Sequence, residues 1–233
     1  MEALSETVSG RIPWWQRPRK LAGRMRRRFT LDTFDVFKRP VRPEHTREGL
    51  EIPSSYTFEW GTADDIERCA DFHTELDANE RRLGVERLGF GHLVVVGKHD
   101  GQAVFTMWAN PRNLNVPGLV KRRLRPGQWF IYKAYTSPEH RGRKLYETGM
   151  RFVLAEMLER GLQELVGYAH VKKRVSRKGL ARLDFTSVGR VVQWHMPGWA
   201  HTRVSPELVA AFPEVVPRSG ALDGGDGASE RPA

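Results

Sequence analysis

The chain predicts an α+β fold, with helices flanking one mixed and mainly antiparallel sheet in a single domain. Three observations carry that reading. Short apolar runs with strand character recur between Tyr56 and Met196 and alternate with segments of helical period. His99-Asp-Gly101 separates two such runs and is a strong hairpin signal. Trp129 to Thr136 reads as a strand that hands over to an amphipathic helix from Leu145 to Arg160 through the turn Ser137-Pro-Glu-His-Arg-Gly-Arg-Lys144.

At 233 residues the chain is long enough for one well-cored domain with appendages. It divides into a basic N-terminal arm over 1–48, a core domain over 49–200 and a C-terminal extension over 201–233. The extension is expected to be disordered from about residue 217, where Gly, Asp, Ser and Ala replace nearly all apolar residues. Hydrophobic residues make up 39%, no apolar run is long enough to cross a bilayer, and no apolar signal-peptide core opens the chain, so a cytoplasmic location is expected. The single Cys69 excludes an internal disulfide and, lying in a helical run, is expected as a buried thiol and not a nucleophile.

Taken in order, Trp14, Leu21, Met25 and Phe29 recur in the arm at roughly helical spacing with arginines between them. Two readings stay open: a helix over residues 14–29 resting on the cytoplasmic face of an anionic membrane, or, preferred, apolar residues packing on the domain or on a second subunit. Tyr56-Thr-Phe-Glu-Trp60 alternates like a first strand. Thr62-Ala-Asp-Asp65 then caps a helix through about Leu76, and a second helix covers Ala78 to Leu88. His92 to Lys98 and Gln102 to Trp108 are the hairpin strands, and Asn110 to Gln128 is a long basic loop of the kind that is often functional. After the Leu145 helix come a strand over Leu165 to Ala169, a short helix over Val175 to Leu183 and a strand over Val188 to Met196.

The formal charge of +10 attracts anions, so nucleic acid, anionic lipid and a polyphosphate cofactor all qualify as partners. Distribution separates them. Basic residues cluster at Arg17 to Arg28, Lys121 to Arg125, Arg141 to Lys144 and Lys172 to Arg182. The last two clusters flank the turn and a later helix, where they suit a small polyanion. No DNA-reading motif accompanies them, which ranks nucleic-acid binding last.

A diphosphate needs closely spaced donors. Arg141-Gly-Arg-Lys-Leu-Tyr146 offers backbone amides at a helix start, a Gly where the backbone can come near, and three cations. The helix behind it is well specified: Tyr146, Met150, Val153, Leu154, Met157 and Leu158 share one face, Glu147 can pair with Arg151, and Gly161 is placed to end it.

On these residues the chain resembles the GNAT acetyltransferase superfamily, whose cofactor loop reads Arg/Gln-x-x-Gly-x-Gly/Ala between its fourth strand and third helix. Ser137 to Arg143 reproduces the approach to that loop. A second match is the family's Asn-x-x-Ser, short helix and Gly-Phe, which stands here as Lys173-Arg-Val-Ser176 through Leu180 to Asp184-Phe185. The order of elements from Tyr56 to about Trp199 also fits. The departures are Lys144 and Tyr146 at the two later loop positions, Lys173 for Asn and Asp184 for Gly. Lys144 is expected to keep the negative φ usual at a helix N-terminus and to leave the loop able to bind.

The resemblance implies a GNAT-like core over 49–200 and an acyl-CoA-dependent N-acyltransferase, with acetyl-CoA or another acyl-CoA as co-substrate and no metal. Its pyrophosphate would lie on Arg141, Gly142, Arg143, Lys144, Leu145 and Tyr146, with Ser176 nearby. Lys172, Lys173, Arg177 and Lys178 would face the adenosine 3'-phosphate, or else form a solvated helix face. Ala134, Tyr135 and Thr136 would meet the pantetheine through the backbone, with the Ala134 N–H polarising the thioester carbonyl. Many members carry a tyrosine acid near the position of Leu180, which cannot serve. Tyr132, Tyr135, Tyr168, His170 and His195 are the replacements, with His170 first as base and Tyr168 and Tyr132 behind it. The competing reading of His170 is a cap on a strand end. His140 is expected to face solvent. Glu75 and Asp77 could bind an amine, and Trp108, Trp129, Trp194 and Trp199 either line an acceptor groove or fill the core.

The acceptor is an amine that the residues do not identify; the basic arm and loop suggest an amino-sugar or another envelope-related substrate. A catalytically inactive binding module on the same fold is the alternative, motivated by Lys144, Tyr146 and Leu180.

Overall fold

Val94, Val95 and Val96 are all within 1% of complete burial, so the strand they form is covered on both faces. That requires a sheet with layers on each side. The structure, a computed structural model, describes residues 30–69, 78–196 and 199–216. Its elements are β1 Thr30–Pro40, β2 Tyr56–Trp60, α1 Ala63–Glu67, α2 Ala78–Gly89, β3 Leu93–His99, β4 Gln102–Asn110, β5 Asn113–Leu114, β6 Arg122–Arg123 and β7 Gln128–Thr136. A short 3-10 turn, Pro138–His140, leads to α3 Leu145–Glu159, followed by β8 Glu164–His170, α4 Arg174–Arg182, β9 Thr186–Met196, β10 Trp199–Val204 and α5 Pro206–Ala211.

Among the described residues the main sheet has eight strands in the order β10-β9-β1-β8-β7-β4-β3-β2. Every pairing in it is antiparallel except β7 with β8. A crossover helix is what a parallel pair demands, and α3 supplies it. On that side Phe105, Met107, Trp129 and Ile131 of the sheet pack against Leu145, Met150, Leu154 and Met157 of α3 and Leu180 of α4. The helix lies close to β4 at Gly149, where an added Cβ would sit 2.5 Å from Phe105 Cε1. On the other side Val94, Val96, Trp108, Phe130 and Val166 meet Ile66 and the C-terminal Leu208 and Phe212. No helix among the described residues is long and apolar enough to cross a membrane.

The strands and helices expected from Tyr56 to Met196 are present, within a residue or two at their ends, except the first helix, which ends at Glu67 with Arg68 as its C-cap and leaves Cys69 outside it. Thr62 caps α1 in a reciprocal capping box with Asp65. Residues 70–77, where that helix was expected to continue and where Glu75 and Asp77 lie, are outside the described residues, as are residues 14–29 and the tail from 217.

Three expectations need correction. The N-terminal arm includes β1, which sits between β8 and β9 and is paired on both edges. Its sequence hides this because Asp35 lies on the face opposite Phe34 and Val36, which a carboxylate marks as solvent-exposed. Asp35 is only 3% exposed, and it is held by Arg190 Nε at 2.6 Å and Arg177 Nη2 at 3.1 Å. A carboxylate goes into a sheet interior only with such partners. The C-terminal extension adds β10 and α5, and Arg122 bridges to Val215. Finally, the basic loop folds back on the sheet: Leu114, Val116, Leu119 and Leu124 are buried, and Asn113–Leu114 pairs with Arg122–Arg123.

Candidate active site

The parallel pairing of β7 with β8 runs from Gln128↔Glu164 to Ile131↔Gly167 and stops. Beyond it β7 continues to Thr136 alongside β4, while β8 continues to His170 alongside β1. The sheet therefore opens into a notch whose walls are Tyr132–Thr136 and Tyr168–His170.

The β7 wall carries a bulge. Tyr135 pairs with Thr106 and Tyr132 with Trp108, so Lys133 and Ala134 together oppose Met107. Lys133 takes φ +45°, unusual for a residue with a side chain, and its Nζ is tied to Glu80 Oε1 on α2 at 2.9 Å. Ala134 is exposed at the notch. Burial would raise the Glu80 carboxyl, but the hydrogen bond and charge of Lys133, with Arg87, more than reverse this and hold it below the ordinary range.

Aromatic rings floor the notch on the α2 side. Phe130 stacks on both Tyr132 and Tyr168, at centroid distances of 5.6 and 5.8 Å. Phe34 meets Tyr168 and His170 edge-on at 5.8 and 5.1 Å.

Behind Tyr132 runs a polar relay. Asn110 Oδ1 accepts the backbone N–H groups of Arg112 and Asn113 at 2.8 and 3.0 Å, which turns its NH₂ toward His92 Nε2 at 3.1 Å. His92 Nε2 is thereby the acceptor, and the assigned tautomer carries its proton on Nδ1, which donates to the Tyr132 hydroxyl. In that bond the Tyr132 hydroxyl accepts, so its own proton is not spent on His92.

His170 is arranged differently. Its Nδ1 accepts the Lys172 N–H at 3.1 Å and its Nε2 faces Asp32 Oδ1 at 3.2 Å. A neutral imidazole has one lone pair and one N–H. Both are engaged here, one by a backbone amide and the other by a carboxylate.

The turn from Ser137 to Lys144 stands at the open end of the β7 wall. Gly142 has φ +78°, with open space around it, and Lys144 has φ +60°. The expectation of a negative φ at Lys144 is corrected: as N-cap it occupies the left-handed region, at a cost of about 1 kcal/mol for a residue with a Cβ. The first backbone bond of α3 runs from the Thr148 N–H to the Lys144 carbonyl at 3.0 Å, so the amides of Leu145, Tyr146 and Glu147 have no acceptor within the helix. Arg141 Nε donates to the Thr136 carbonyl at 3.2 Å, tying the turn to the strand. Leu145 is buried and anchors the helix start, while Arg141, Arg143 and Lys144 are exposed. The Tyr146 ring lies against α4, 3.2 Å from where a Gly179 Cβ would stand, and burial pushes its phenol well above the ordinary value. Ser176, half-buried, is one turn earlier on that helix.

Several other residues fall elsewhere. Arg177 is ion-paired with Asp35 and is no loose cation for a 3'-phosphate, whereas Lys172 and Lys178 are exposed. His140 does not simply face solvent: its Nδ1 is 2.9 Å from the Tyr56 hydroxyl and its ring packs on His99. Trp108 and Trp129 are buried in opposite cores, while Trp194 and Trp199 flank His201 at the β9–β10 edge with His195 nearby, away from the notch. Cys69 is buried and its thiol is pushed up by desolvation. Sequence reasoning missed His92, Asn110, Lys133, Glu80 and Asp32. The His92–Tyr132 pair spans 40 positions, and the tertiary fold alone joins it.

No family model matches the chain, and no curated protein matches it. Similar solved structures include a putative acetyltransferase of the GNAT family from Novosphingobium aromaticivorans (15% identity, 70% of this chain and 63% of that chain, TM-score 0.46). Another is a GCN5-related N-acetyltransferase-like protein from Streptococcus suis (17% identity, 76% and 66%, TM-score 0.49). A third is AAC(6')-Iy, solved in complex with the bisubstrate analogue CoA-S-monomethyl-acetylneamine (15% identity, 57% and 92%, TM-score 0.46). The chain spans less than two thirds of the length of the first two. In its own strand order, its parallel pair that parts after Ile131 and Gly167, and its helix entered through Gly142, the chain has a GNAT-like α+β fold.

Proposed function

We propose that the chain is an acyl-CoA-dependent N-acyltransferase that moves an acyl group, most simply acetyl, from CoA to an amine. One observation carries the reading: the notch between β7 and β8 ends on the N-terminus of α3, where Gly142 and three unpartnered helix amides stand among Arg141, Arg143 and Lys144. An extended pantetheine fits between strands that have given up each other's hydrogen bonds, and a diphosphate fits the amides and cations beyond it.

The Ala134 N–H at the bulge would hold the thioester carbonyl oxygen as charge develops there. The amine nitrogen attacks the carbonyl carbon, the C–S bond breaks, and the departing thiolate needs a proton. Tyr132 would give it, with the resulting phenolate held by the His92 Nδ1–H until the proton lost from the attacking nitrogen, passed through water, restores the phenol. His170 would position the β8 wall through Asp32 and the Lys172 N–H.

Thiol release from acetyl-CoA in the presence of an amine panel tests this reading. Binding should also raise the melting temperature: a ligand at a hundred times its dissociation constant stabilises a fold by about 2.7 kcal/mol. No shift with acetyl-, malonyl- or long-chain acyl-CoA contradicts the proposal. A second reading, CoA binding without transfer, is favoured by Tyr146 lying against Gly179; it predicts the thermal shift and no thiol release with any amine.

A further inference from the structure

A second cluster of cations lies away from the notch, on the α3–α4 side of the sheet. Arg39 of β1 is paired in register with Leu165, near the start of β8, whereas the notch lies past Gly167 toward His170. Arg151 stands six residues beyond Leu145, about 9 Å along α3 from the phosphate turn. Arg182 closes α4. Together with Arg42 and His45 these side chains border a cavity of about 280 Å³.

The donors in it outnumber the acceptors. Arg39 is only 8% exposed, yet its Nε and Nη1 have no hydrogen-bond partner. Its Nη2 is 2.9 Å from His45 Nε2, while the Arg42 N–H is 3.0 Å from His45 Nδ1. Both neighbours of the imidazole are donors. Burial and the Arg39 charge lower the His45 pKa and hold the ring neutral, with a single lone pair to offer. One of the two donors therefore goes without an acceptor in either tautomer. Two carboxylates border the cavity, Glu44 and Asp184, and no ion pair among the described residues joins either to Arg39. Glu44 leans on Arg42 at 3.7 Å.

Asp184 is a further sign that the cavity is built. It has φ +54° at the end of α4, with its N–H bonded to the Ala181 carbonyl and the Phe185 N–H to the Leu180 carbonyl. That cap normally takes Gly. An aspartate there accepts backbone strain and sets a charge beside Arg39, tempering a guanidinium that burial disfavours.

We propose that this cavity binds a phosphate-sized oxyanion, either inorganic phosphate or the phosphoryl group of a small phosphomonoester. A phosphoryl group supplies acceptor oxygens to the orphaned Nε and Nη1 in the side-by-side geometry a guanidinium prefers. Arg42 and Arg182, with Arg151 beside its ion-pair partner Glu147, bring the charge that a dianion needs at the rim. The site is separate from the acyl-CoA notch and stands whether or not the transferase reading does.

Calorimetric titration of the full chain tests it, with sodium phosphate and with glycerol phosphate in chloride of matched ionic strength. The expected result is saturable binding of one anion per chain. A tighter fit by glycerol phosphate would identify a phosphomonoester as the ligand, and equal affinities would identify the phosphate group alone. Arg39→Met should abolish the binding. The double variant Arg151→Gln, Arg182→Gln, altered only at the exposed rim, should weaken it at least tenfold and guards against a folding defect in the first. No saturable binding of either anion, unchanged affinity in both variants, or complete displacement by CoA would overturn the proposal, the last by making the cluster part of the notch.

Discussion

The two walls of the notch are built from similar side chains and hold them in opposite ways. On the β7 wall, His92 is oriented from behind by Asn110 and donates its N–H forward to Tyr132, so that the hydroxyl proton is not spent on the histidine. On the β8 wall, His170 spends one nitrogen on the Lys172 N–H and the other on Asp32. A histidine with a spectator at one nitrogen and a tyrosine at the other relays polarity; one with a backbone amide and a carboxylate holds a strand end in place. The walls differ in backbone as well. The bulge at Lys133–Ala134 interrupts β7 alone, while the β8 wall stays in register with β1 up to Phe34↔His170.

If the β7 wall does the chemistry, the sharpest break in the comparison comes at Tyr132. Tyr132→Phe removes the proton donor while keeping the ring that stacks on Phe130, so kcat should fall by about 10²-fold with little change in KM for acyl-CoA. Steady-state kinetics on purified variants checks it. A fall confined to KM would move Tyr132 from chemistry to binding.

His170→Gln, the matching change on the other wall, should lower kcat by less than about threefold while costing on the order of 1 kcal/mol in stability through weakened hydrogen bonds. Chemical denaturation beside the same kinetics measures both. A kcat loss as large as that of Tyr132→Phe, with stability unchanged, would make the walls equals and restore His170 as a base.

The turn beyond the β7 wall offers a smaller effect of opposite sign. Lys144→Gly relieves the left-handed φ of +60° and should stabilise the fold by up to about 1 kcal/mol. Acyl-CoA affinity should change by less than threefold, because the backbone amides remain. Loss of binding would show that the Lys144 ammonium, and not the helix start, holds the phosphates.

The least effect concerns the strut under the bulge. The Glu80 carboxyl is depressed from an ordinary value of 4.5 by Lys133 and Arg87, against the pull of burial. Its contribution to stability is thus complete above that pH and is lost as pH falls through the depressed folded value. Glu80→Gln should flatten this acid limb in a melting-temperature profile and leave the profile above pH 6 parallel to wild type. An unchanged acid limb would mean that Lys133 is held in its bulge by the backbone alone.

Much of this architecture was legible in the sequence because it rests on local signals. The hairpin at Asp100–Gly101, the capping box at Thr62 and the helical stripe from Tyr146 to Leu158 each declare themselves within one element, and the strand-turn-helix around Gly142 followed from them. The misses share a cause. β1 carries a buried aspartate whose partners, Arg177 and Arg190, lie some 140 to 155 positions away, so its polarity reads as exposure until the fold brings the counter-charges in. The His92 relay and the bulge strut join β7 to residues 40 and 53 positions distant, a distance no motif spans. Lys144 and Asp184 stand where the resembled pattern has glycine; both adopt the backbone a glycine would, and they register as strain and charge, not as a changed fold.

The most direct test of the account is calorimetric titration of acetyl-CoA into the wild-type chain and into Gly142→Val. The φ of +78° at Gly142 excludes a β-branched residue without rebuilding the turn, and no neighbour stands within 4 Å to confuse the result with a packing defect. The account predicts binding of one acetyl-CoA per chain in the wild type and at least a tenfold loss in the variant at an unchanged folded fraction. Absence of saturable binding to the wild type, or equal affinity in both proteins, would contradict it.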